Sequence, residues 1–64
     1  MVSAWEQWAV ANHYVTKHGE DAPLQLAIRA DELLKRGDLA GSRTFIAIMK
    51  KSEELLTMPT GLLN

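Results

Sequence analysis

The sequence predicts an all-α protein: a compact antiparallel three-helix bundle with helices over about residues 4–18, 22–36 and 39–57, followed by a short C-terminal tail. Three observations carry that prediction. Apolar residues recur at three- and four-residue steps through three separate stretches, Gly19 and Gly37 stand where the periodicity is interrupted, and Pro59 closes the last stretch. At 64 residues the chain has room for one domain, residues 1–64, and such a domain buries only about 60% of its unfolded surface. It contains no cysteine, so neither disulfides nor thiolate-bound metal can reinforce it, and efficient helix packing or oligomerisation must do so instead.

Helix 1 begins at a capping box. In Ser3-Ala4-Trp5-Glu6 the Ser3 hydroxyl is placed to accept from the backbone N–H of Glu6, and the Glu6 carboxylate to accept from that of Ser3. Trp8, Ala11 and Val15 then form a stripe with Ala4 and Trp5 beside it, and His18-Gly19 supplies a basic last turn and a left-handed stop. Helix 2 follows at once: Glu20-Asp21-Ala22-Pro23 puts acids at the positive end of the helix dipole and a proline where no N–H is needed. Its expected inner stripe is Leu26, Ala27, Ala30, Leu33 and Leu34, with Asp31–Lys35 and Glu32–Arg36 as i, i+4 pairs outside.

Gly37 ends helix 2 and Asp38 caps helix 3, whose stripe is Phe45, Ile48, Met49, Ser52, Leu55 and Leu56. The triplet Arg36-Gly37-Asp38 occurs in cell-adhesion ligands, yet local backbone chemistry accounts for it here. A helix needs a left-handed residue at its end, and the next needs a side-chain acceptor at its start. The expected core is therefore Trp5, Trp8, Val15, Leu26, Ala30, Leu33, Leu34, Phe45, Ile48, Met49, Leu55 and Leu56.

Composition narrows the function classes. Seven Lys plus Arg against eight Asp plus Glu give a formal charge of -1, and no run of like charge exceeds two residues, unlike a nucleic-acid-binding tail. Apolar runs fall far short of the roughly 20 residues that cross a bilayer, and the N-terminus lacks the basic and apolar regions of a signal peptide. The expectation is a soluble cytoplasmic protein with no membrane association.

No catalytic apparatus is visible. His13 and His18 are five apart and point in different directions on a helix, with no third metal ligand in view. Ser3, Ser42 and Ser52 lack a glycine-flanked nucleophile elbow, and the adjacent acids Glu20-Asp21, Asp31-Glu32 and Glu53-Glu54 splay apart on a helix. The sequence thus predicts neither an enzyme nor a cofactor, metal or small-molecule substrate. Asn12 projects between Trp5 and Trp8. It is either a buried amide fixing register or a residue at the edge of the stripe.

Two binding readings remain. Val10 and Tyr14 lie off the main stripe of helix 1, Leu24 and Ile28 off that of helix 2, and Ile46 at the margin of that of helix 3. With the tail residues Leu62 and Leu63, the set Val10, Tyr14, Leu24 and Ile28 forms the expected partner-binding surface of a protein–protein interaction module. Such a module acts as a homodimer or as an adaptor or inhibitor of a larger protein. The alternative is a small helix-turn-helix-like nucleic-acid binder using Arg43, Lys50 and Lys51, although Leu39-Ala40-Gly41-Ser42 is poorly suited to the start of a recognition helix.

Trp5, Trp8-Ala9, the "KHGEDA" turn at residues 17–22, Arg29-Ala30-Asp31-Glu32-Leu33 and the "GDLAGSRTFIAI" segment together resemble a family of short proteobacterial proteins known as a domain of unknown function. The resemblance covers nearly the whole chain. It implies a small bacterial, cytoplasmic, all-helical protein and carries over no catalytic or binding residue.

Overall fold

A computed structural model describes residues 3–57. They form three α-helices, α1 (Ala4–His18), α2 (Ala22–Lys35) and α3 (Leu39–Thr57), with a single 3-10 turn, Gly19–Asp21, between the first two. Among the described residues there is no strand, and no helix is long and apolar enough to cross a membrane.

The helix ends follow local chemistry. At the start of α1 both halves of the capping box are made: the Glu6 backbone N–H donates to Ser3 Oγ at 3.2 Å, and the Ser3 N–H to Glu6 Oε1 at 3.3 Å. Gly19 stops α1 with a φ of 59°, a conformation that disfavours any residue with a Cβ. The acids that follow stand at the start of α2, as the sequence suggests, without a side-chain cap. Glu20 and Asp21 complete the 3-10 turn, and the Asp21 side chain makes no capping hydrogen bond.

The junction between α2 and α3 is the most closely specified segment of the chain. Gly37, with a φ of 82°, donates to the Leu34 carbonyl at 3.0 Å, and the Asp38 N–H donates to the Leu33 carbonyl at 2.9 Å. This is the paired bonding of a Schellman motif, which satisfies carbonyls that a helix end otherwise leaves open. The Asp38 side chain then accepts from the Gly41 N–H at 2.8 Å and caps α3, and a Cβ at Gly41 would run into that carboxylate. Arg36 falls outside α2 as its C-cap, so the expected Glu32–Arg36 pair does not form. Glu32 instead takes Arg29 one turn earlier at 3.5 Å, while Asp31–Lys35 forms at 3.0 Å.

The core is small. Ala11, Leu26 and Ile48 are buried at its centre, with Val10, Tyr14, Phe45, Met49 and Leu55 packed against them, and Ala22 and Ala30 are also buried. α3 makes its most extensive contact with α2, a smaller one with α1, and α1 touches α2 least. Small residues line the α2 and α3 faces, Ala22 and Ala30 on one and Ser42 and Ser52 on the other, so the two backbones can approach closely. Ser52 is satisfied locally, its hydroxyl donating to the Met49 carbonyl at 2.6 Å.

Two members of the expected core lie elsewhere. Trp5 is 77% exposed, and Leu34 is half exposed. Trp5 is displaced by a rotation of α1 about its own axis relative to the expected stripe: the inward face runs through Gln7, Ala11, Tyr14 and His18, so Val10 and Tyr14 turn toward the core and Trp5 turns out, whereas Leu34, on α2, borders the open side of the α2–α3 pair. Asn12 is exposed with Trp5, which removes the buried-amide reading.

Candidate interaction surface

The residues expected to bind a partner separate into three groups. Val10 and Tyr14 are half-buried and packed on the core cluster; the Tyr14 ring also meets His13 edge-on at 6.2 Å and His18 at 5.6 Å. Leu24 and Ile28 are exposed on α2, one turn apart on the face opposite Leu26. Leu62 and Leu63 lie outside the described residues.

A second apolar feature was not anticipated. Between α2 and α3 runs an open groove of about 320 Å³, lined by Ala27, Ala30, Asp31 and Leu34 from α2 and by Ser42, Ile46 and Met49 from α3. Its lining is mostly apolar, with Ser42 and Asp31 as the polar residues. Leu34 and Ile46 form its walls, and Leu39, also exposed, lies two turns before Ile46 on the same stripe of α3. The groove exists because the alanines of α2 leave space between two close helices and because α1 packs chiefly on α3, leaving this side of the pair uncovered. The sequence signal for it is faint: Leu34 reads as a core residue and Ile46 as a marginal one.

The basic residues of the nucleic-acid reading do not act together. Arg43 and Lys50 lie on one exposed stripe of α3 with Ile46 between them. Lys51 is turned toward α1, where its Nζ donates to Gln7 Oε1 at 2.9 Å and sits 5.5 Å from the centre of the Trp8 ring. A cation in that position is held by the ring face and by an amide, and it ties α3 to α1. The three cations therefore present two directions rather than one phosphate-binding strip.

Among the described residues no group of three or more His, Cys, Asp or Glu side chains is arranged to hold a metal ion. All buried side-chain nitrogen and oxygen atoms among them have hydrogen-bond partners. Comparison of the chain with protein-family models, with curated proteins and with solved structures finds no match.

Proposed function

We propose that this chain is a non-catalytic protein–protein interaction module, built on an antiparallel three-helix bundle and working as a homodimer or as an adaptor or inhibitor on a larger protein. One observation carries the reading. Among the described residues Leu26 and Ile48 are the large apolar side chains fully buried, whereas Trp5, Leu24, Ile28, Leu34, Leu39 and Ile46 are exposed. Single apolar residues at a surface are ordinary, but five of these six belong to α2 and α3, and two of them wall a groove.

The antiparallel arrangement is supported by the three-residue link at Arg36–Asp38. A link that short between helices in extensive contact requires the second to run back along the first. The kinship with short proteobacterial helical proteins belongs to the same proposal. It rests on Trp5, Trp8-Ala9 and the junction and packing residues of segments 17–22, 29–33 and 37–48, and contributes no site residue.

The test is light scattering after size exclusion, together with capture on immobilised protein, for the native chain and two charge-bearing pairs, Leu24→Glu/Ile28→Glu and Leu34→Glu/Ile46→Glu. At least one pair should lose self-association or a captured protein while keeping its helicity. Identical mass and identical capture by all three would reject the interaction reading.

A further inference from the structure

We propose that the groove between α2 and α3 is a homodimer interface, in which two copies pack groove to groove about a two-fold axis running along it, with Asp31 of each copy facing Arg43 of the other. The proposal rests on the interaction reading above and deepens it by naming the occupant.

Three observations point to a second copy rather than to some other protein. The first is the size of the core. A 64-residue chain whose described residues include only two large apolar side chains fully buried has a small core, and oligomerisation is a standard remedy in a chain without disulfides. The second is shape. The groove is lined by the small Ala27 and Ala30 and by the exposed Leu34 and Ile46, so two copies set face to face enclose these side chains in one shared apolar space. An isologous contact needs this self-complementarity.

The third observation is charge. One rim of the groove, on α2, carries Asp31 between Ala27 and Leu34. On α3, Arg43 stands outside the lining itself, exposed one turn before Ile46 on the outer side of that wall. Counted outward from the Gly37 turn, Asp31 is six residues before it (37 − 31) and Arg43 six after it (43 − 37), so they stand at about the same height on opposite sides. A two-fold axis parallel to the helices preserves height and exchanges the rims. It brings α2 of one copy over α3 of the other, and each Asp31 against the Arg43 of its neighbour. Lys35 engages Asp31 at Oδ2, and the Asp31 side chain remains 57% exposed, so it stays accessible to a guanidinium. Leu39 and Ile46 are carried into the same contact.

Sedimentation velocity over a range of concentrations tests this directly. The native chain should dimerise, and Ile46→Glu should weaken the dimer by at least roughly 100-fold because it buries a charge in the centre of the contact. Trp5→Glu, exposed on α1 and outside the groove lining, should leave it within about twofold. The decisive arm is charge exchange. Asp31→Arg and Arg43→Asp should each weaken self-association by roughly tenfold or more through like charges brought together. An equimolar mixture of the two should recover native affinity, because the mixed dimer contains one native and one reversed pair. Circular dichroism of each variant separates loss of association from loss of folding.

A native chain that stays monomeric at every concentration overturns the proposal and leaves the broader interaction reading to the capture experiment. A dimer dissolved by Trp5→Glu but not by Ile46→Glu also overturns it, while keeping self-association on another face. A mixture of the charge variants that associates no better than either alone refutes the two-fold geometry.

Discussion

The orientation of α1 about its axis can be decided by two substitutions with opposite expected outcomes. In the structure Tyr14 is half-buried and packed on the cluster of Ala11, Leu26 and Ile48, while Trp5 is 77% exposed. Complete truncation of a buried aromatic costs about 3–5 kcal/mol, so a half-buried one should cost roughly 2 kcal/mol. Trp5→Ala removes a side chain still mostly in water and should stay within about 0.5 kcal/mol. A 64-residue chain at roughly 0.05–0.15 kcal/mol per residue has about 3–10 kcal/mol in total, so the Tyr14 loss is a large fraction of it. With a urea slope near 1 kcal/mol/M for so small a protein, Tyr14→Ala should lower the unfolding midpoint by about 2 M and Trp5→Ala by less than about 0.5 M. Far-ultraviolet circular dichroism at one fixed protein concentration reads both, since self-association would otherwise shift the midpoints. The reverse order, with Trp5→Ala costly and Tyr14→Ala neutral, would show that the helix is turned as the apolar stripe alone suggests and would refute the structural register.

Other consequences of the fold are equally direct. Leu26→Ala empties the centre of the core and should cost about 2–5 kcal/mol, leaving a largely unfolded chain by the same urea titration; a fully cooperative transition at the native midpoint would contradict it. Gly37→Ala forces a Cβ into the left-handed region and should cost about 1–2 kcal/mol, and Asp38→Ala removes the cap of α3 for about 1 kcal/mol, both measured by thermal unfolding. Lys51→Ala should cost about 0.5–1 kcal/mol and alter the fluorescence of Trp8, whereas Lys50→Ala should do neither, so equal effects at both positions would reject the Lys51–Gln7–Trp8 contact.

Helix ends were legible in the sequence because short-range chemistry writes them. Ser3 with Glu6, Gly19, and Gly37 followed by Asp38 each satisfy orphan backbone groups within a few residues, and the structure uses each for that purpose. Leu24 and Ile28 were also legible as outward-facing, since they oppose Leu26 on a helix whose inner stripe is clear. The rotation of α1 was not legible, because its inner face includes Gln7 and His18 while its bulkiest residue, Trp5, stands outside. A stripe drawn through the largest apolar groups is pulled toward Trp5. The groove was hidden for a different reason. Whether Leu34 is covered depends on where α1 settles, and its preference for α3 over α2 is a tertiary outcome with no local signature. Asp31 and Lys35 read as a surface ion pair, which they are, and nothing in their spacing announces that Asp31 also borders a groove.

The most direct test of the interaction face is the concentration dependence of methyl resonances in the native chain. Leu34, Ile46 and Met49 line the groove, whereas Leu26 and Ile48 are internal to one copy. As the chain is concentrated, the first three should shift together along one binding curve while the internal pair stays in place. Groove methyls that keep their positions across the whole range, or shifts confined to Leu24 and Ile28, would contradict the assignment of this face.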